Sequence, residues 1–202
     1  MMFKVPLFLL STFLIYCNAQ NKKPLSPSSL GVQMAYQVDS LKPLNNSMMN
    51  EAQFWSIIDK LKDSSLRDMF HAMSSDEILQ FDLRFDSLMS MAYHYKLWGA
   101  AYVINGGCSD DCFQDFRTNL ITHGKEKFYA TLKDPESCRD WIKSESLLDE
   151  RPYITVYEVY MERTGHEPPQ QQVIKYELKG KPFNEATVYR QYPKLAKRFL
   201  GY

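Results

Sequence analysis

Leu97-Trp98-Gly99-Ala100-Ala101-Tyr102-Val103-Ile104-Asn105-Gly106-Gly107-Cys108-Ser109-Asp110-Asp111 is the stretch whose reading decides the fold. From Leu97 to Ile104 it is apolar all round, as a helix buried on every side must be. Gly106-Gly107 ends that helix, because the left-handed backbone that closes a helix is cheap only for glycine. Ser109 then caps a second helix, and Asp110 and Asp111 occupy its first turn, where the positive end of the dipole favours acids. Phe113, Phe116, Leu120 and Ile121 supply the apolar face of this second helix, and Gly124 stops it after His123. The stretch therefore reads as helix, tight double-glycine turn, helix.

Working outward, the same period continues. Asn50 is an N-cap with Gln53 at the third helical position, and Met49 is placed to staple onto Phe54. Phe54, Ile57, Ile58 and Leu61 fall on one helical face. Ser74 and Glu77 form a capping box, and Ile78, Phe81, Phe85, Leu88, Ala92 and Tyr95 recur at 3-4 spacing, which predicts one long amphipathic helix. Beyond Gly124, Phe128, Tyr129 and Leu132 mark a short helix. Asp134-Pro135 is an N-cap with proline at the first position, leading into Cys138, Trp141 and Ile142. Pro152 opens a segment with Tyr153, Val156, Tyr157 and Tyr160 on one face, stopped by Gly165. Its β-branched content leaves strand as an alternative, but the spacing prefers helix. Pro168-Pro169 and a glutamine triplet make 166–183 a loop with a short strand over 173–178. Asn184 starts a last helix, which Pro193 interrupts and restarts toward Phe199. The fold class is mainly α: a single compact multi-helix domain over 48–202, with a short loop and strand segment near 166–183.

The N-terminus has the layout of an export signal over 1–19: Lys4, an apolar run from Val5 to Tyr16, and Cys17-Asn18-Ala19 before Gln20. About 12 apolar residues are too few to cross a bilayer, so no transmembrane span is expected after cleavage. A lipid anchor at Cys17 is the rival reading, and the bulk of Tyr16 argues against it. Residues 20–47, with Asn21-Lys22-Lys23-Pro24, Ser26-Pro27-Ser28-Ser29 and Asn45-Asn46-Ser47, read as a flexible linker. The expected compartment is periplasmic or extracellular. Formal net charge is zero with both signs interspersed, which excludes a basic footprint for nucleic acid.

An oxidising compartment permits disulfides. Of the cysteines after the signal, Cys108 and Cys112 are four apart and would suit a bridge poorly inside one helix; a pair involving Cys138 is favoured. No paired zinc spacing occurs, so neither a metal site nor a cofactor is expected.

The stretch from Leu97 to Asp111, continued through Phe113, Phe116, Arg117, Gly124 and Asp134-Pro135, resembles the signature of the bacterial domain-of-unknown-function family 4240. Weaker echoes at Phe54-Trp55, Ser74 to Glu77 and Tyr192-Pro193-Lys194-Leu195 extend the resemblance over most of 50–200. It implies a family and no activity. Against the family pattern, Cys112 stands at a glycine position and Cys138 near a usually apolar one. Two cysteines gained together in an exported chain imply a Cys112–Cys138 disulfide, with Cys108 left buried. A loop of about 26 residues would contribute ~3 kcal/mol on the chain-entropy account.

Three functions are compatible with this reading. The first is a binding or interaction module, for a protein or small-molecule ligand, with a groove built from Trp98, Asn105, Gly106, Gly107, Cys108, Asp110, Asp111 and Arg117. The second is an enzyme of unassigned reaction using Cys108 or the Asp110/Asp111/Arg117 cluster. The third makes the motif structural, with function on loops such as 165–183. An open concavity around Trp98, Asn105 and Arg117 supports the first two; enclosure of these side chains supports the third.

Overall fold

A computed structural model of the protein describes residues 47–143, 152–171 and 174–202. The expected export signal over 1–19, Cys17 within it, and the expected linker up to residue 46 lie outside these residues. The chain divides into two units at Ser40 and Leu41, and every described residue belongs to the second.

Local capping chemistry starts most of the helices. Asn50 Oδ1 accepts the Gln53 N–H at 2.9 Å and opens α1, Glu51–Asp59. Ser65 does the same for α2, Leu66–Ala72. At α3, Ser75–Met91, the capping box is complete: Ser74 Oγ accepts from Glu77 N–H, and the Glu77 carboxylate accepts from Ser74 N–H at 2.8 Å. Then come α4, Tyr95–Asn105, and α5, Asp110–Thr122, the pair read from the opening stretch. α6, Lys125–Lys133, follows Gly124, and Asp134 caps a 3-10 segment, Pro135–Asp140. α7 spans Pro152–Thr164, a second 3-10 segment Val188–Gln191, and α8 Pro193–Phe199.

The long helix expected to run through Tyr95 breaks. α3 ends at Met91, and His94 is extended and caps α4 by accepting the Lys96 N–H at Nδ1. The cause is a distant pairing. Tyr95 N–H donates to Lys179 O at 2.9 Å and Lys179 N–H to Tyr93 O at 3.1 Å, a single parallel bridge that takes backbone groups a continuous helix would use itself. The apolar period survives the break because α3 and α4 bury their faces in one core. The strand expected over 173–178 does not form in 174–178, which have no ladder; the bridge lies one residue beyond, at Lys179, and residue 173 lies outside the described residues. Asn184, expected to cap a last helix, closes a turn by accepting the Ala186 N–H instead.

The core is aromatic. Phe54 stacks on Phe81 at 4.8 Å, Phe70 meets Phe81 edge-on at 5.0 Å, and Trp55 lies against Phe128 at 5.6 Å. α4 crosses this core with Leu97, Ala100 and Ala101 fully enclosed. Gly99 lets the C-terminal segment approach: a Cβ there would fall 2.9 Å from Tyr192 Oη and 3.2 Å from Val188 Cγ2. Tyr192 Oη in turn donates to Lys96 O at 2.7 Å, which seats the start of α8 on α4.

Candidate functional site

The turn between α4 and α5 is built by its own residues. Gly106 is left-handed (φ 67°), and the Gly107 N–H donates back to Tyr102 O at 2.9 Å. Both glycines have positive φ, and a Cβ at either would meet nothing within 4 Å. Glycine is required here by backbone shape, and the outer side of the turn is open. The inner side is clamped. Trp98 Nε1–H donates to Cys108 O at 2.9 Å, and the Trp98 ring stacks on Phe113 at 4.9 Å. Asn105 donates Nδ2–H to Ala101 O at 3.0 Å and, more weakly, toward Cys112 Sγ at 3.5 Å.

The disulfide corrects the sequence reading. Cys108 pairs with Cys112, Sγ to Sγ 2.01 Å and Cα to Cα 5.2 Å, and not Cys112 with Cys138. The objection to a four-residue spacing holds for two cysteines inside one helix. Here Ser109 is the N-cap, so Cys108 lies outside α5 and Cys112 within its first turn, and the extended cap brings them together. Cys138 is buried in the 3-10 segment and donates to Pro135 O at 3.1 Å; burial pushes its thiol pKa up to about 12.

The eight residues singled out by sequence do not share one surface. Asn105, Gly106, Asp110 and Asp111 form an exposed rim, while Trp98, Gly107 and Cys108 are half-buried behind it. Arg117 is enclosed, at 6% exposure. Its Nη1–H donates to Met89 O at 3.0 Å, its Nε–H to Phe113 O at 3.3 Å, and its guanidinium sits 4.7 Å from the Tyr93 ring centroid and 4.9 Å from that of Phe113. Burial holds its pKa below the usual guanidinium value, against the pull of Tyr176 and Tyr93. Among the described residues Arg117 makes no ion pair with Asp110 or Asp111. Phe113 touches both Trp98 and Arg117, so the half-buried indole behind the rim and the buried cation are joined through one ring.

Sequence reasoning missed a second polar locus beside Arg117. Gln171 Nε2–H donates to Asp82 Oδ2 at 3.0 Å, Tyr176 Oη–H to Asp86 Oδ1 at 3.1 Å, and Ser90 Oγ–H to Lys175 O at 3.1 Å, so the segment after α7 is strapped across α3. Burial, with the Asp86 charge added, raises the Asp82 pKa to about 7; burial raises that of Asp86 too, opposed by its bond from Tyr176. The signal was present as two acids four apart amid Phe81, Leu83 and Phe85, an arrangement that repels itself on an open helix face.

Among the described residues no group of three or more His, Cys, Asp or Glu is placed to hold a metal ion, and no helix is long and apolar enough to cross a membrane.

Among the described residues, fold and site together define a mainly helical domain whose double-glycine turn between α4 and α5 is followed by a disulfide across the cap of α5. Residues 49–164 match the family described as protein of unknown function, DUF4240, and the chain belongs to that family. No curated protein and no solved structure matches it.

Proposed function

We propose that this chain is an exported binding module whose recognition face is the turn between α4 and α5, and whose occupant presents basic or amide groups. The observation that carries the reading is the contrast between the two sides of the turn: open over Gly106 and Gly107, locked behind by the disulfide and by the Trp98 bond to Cys108. A backbone already held in one shape loses little conformational freedom when a partner docks. Exposed Asp110 and Asp111 flank the open side and give it negative sign. Export is supported by the signal-like residues 1–19 and by a disulfide of the kind oxidising compartments permit. The enzyme alternative loses its named parts, because the Cys108 sulfur is bonded and Arg117 is enclosed away from the rim acids; the same enclosure favours a structural role for Arg117, which leaves the exposed rim as the face for recognition.

The test is a thermal-shift series with peptides graded in lysine and arginine content, on the wild type and on an Asp110→Lys/Asp111→Lys variant. Basic peptides are expected to raise the wild-type Tm by a few degrees, as binding to the folded state requires, and to leave the variant unmoved. Equal shifts in both proteins, or none in either, would overturn the assignment.

A further inference from the structure

We infer that the Cys108–Cys112 disulfide is a reversible redox clasp, opened in the folded protein by a dithiol reductant that attacks Cys108. Three placements support this. The pair ties Cys108, which directly follows the two open glycines, to the first turn of α5, and both cysteines are half-buried, so an incoming sulfur can approach without unfolding of the core. Asn105 donates toward Cys112 Sγ and not toward Cys108, so negative charge developing on sulfur during exchange is better accommodated at Cys112. Cys112 also lies in the first turn of a 13-residue helix, where the dipole favours an anion, although Asp110 and Asp111 on the same turn oppose it.

The exchange balances as written. A thiolate of the dithiol attacks Cys108 Sγ, the Cys108–Cys112 bond breaks, and its electron pair leaves on Cys112 Sγ as thiolate. The second thiolate of the reductant then attacks its own sulfur in the mixed disulfide and releases Cys108. Two electrons have passed to the chain, the reductant ends as a disulfide, and the protons lost by the dithiol are taken up by the two cysteines. Opening frees the Cys108–Ser109 backbone that Trp98 holds through its indole N–H, so the redox state is coupled to the aromatic stack of Trp98 on Phe113. The inference does not depend on which partner the turn binds.

Cys138, enclosed in the core, is the internal control. The full-length folded protein is treated with dithiothreitol, alkylated without denaturant, and mapped by peptide so that Cys108, Cys112 and Cys138 are read separately. Cys108 and Cys112 are expected to label together at least tenfold faster than Cys138, with helicity by circular dichroism retained. Labelling of all three at one rate, or of none until denaturant is added, would show that the bridge is structural and overturn the proposal. Brief exposure to glutathione followed by acid quench is expected to leave the mixed disulfide on Cys108; its recovery on Cys112 would overturn the direction of attack. Trp98→Phe provides a separate readout, since the change in tryptophan emission on reduction should vanish in that variant, while Cys108 and Cys112, freed of the indole clamp, label at least as fast as in the wild type. Emission that changes equally in the variant would sink the coupling to Trp98.

Discussion

Arg117 shows how much one side chain can hold when its charge meets carbonyls and rings in place of a carboxylate. Its two hydrogen bonds reach Met89 O, at the end of α3, and Phe113 O, one turn back in α5, and its guanidinium lies against Tyr93 and Phe113. Removing it leaves the Met89 carbonyl without that donor and opens a cavity between two helices. Arg117→Ala is therefore expected to cost about 3 kcal/mol, as a charged hydrogen bond and buried packing are lost together. A urea melt measures this, and a loss within about 0.5 kcal/mol, the size of an ordinary surface change, would contradict the placement. Sequence alone put Arg117 in a polar cluster with Asp110, two turns away on the same helix. That spacing was sound, but only the position of Tyr93 and Met89 decides that the arginine turns inward while the acid stays in water.

At the scale of elements, the strap over α3 carries a pH dependence with a definite sign. A carboxyl whose pKa rises on folding, as Asp82 does to about 7, binds its proton more tightly in the folded state. Its stabilising contribution is complete below the unfolded value near 4 and is lost as pH climbs through about 7. Stability should accordingly fall across this window, with Asp86 contributing in the same direction. Asp82→Asn keeps an oxygen to accept from Gln171 and cannot ionise. It is expected to flatten the slope and to be more stable than wild type near pH 8 by on the order of 2 kcal/mol, with partial exposure of the group allowed for. Urea midpoints across pH for the two proteins decide the matter, and parallel curves would refute it. The pairing of Tyr95 with Lys179 belongs to this scale as well. Helical periodicity ran unbroken from Ile78 to Tyr95 and offered no warning of the interruption, because two helices with a common core keep the same apolar spacing.

The whole molecule extends past the family match. The match ends at residue 164, yet Val188, Tyr192, Leu195 and Ala196 lie beyond it and are enclosed in the same core as Leu97 and Ala100. Each large apolar side chain buried there is worth roughly 1.5–3 kcal/mol, so the set is comparable with the total stability of about 5–15 kcal/mol of an ordinary domain. A chain ending at Gly165 is expected to lose its cooperative thermal transition, read by circular dichroism. A melt within about a degree of the full chain would show that α8 is dispensable. The short disulfide loop adds less to the total than the expected 26-residue loop would have: about 2 kcal/mol by chain entropy.

The helix starts at Asn50, Ser74, Ser109 and Asp134, the turn at Gly106 and the stop at Gly165 were determined by sequence alone, because a cap or a left-handed residue closes its hydrogen bonds within a few positions of itself. The break at His94, the partner of Cys112, the enclosure of Arg117 and the acid pair beneath Gln171 and Tyr176 were decided only by the tertiary structure. Three of these depend on partners far away in the chain. The disulfide spans the cap at Ser109, which the sequence had already placed between its two cysteines; what the tertiary structure added is the extended cap backbone that brings the two Cα atoms to 5.2 Å.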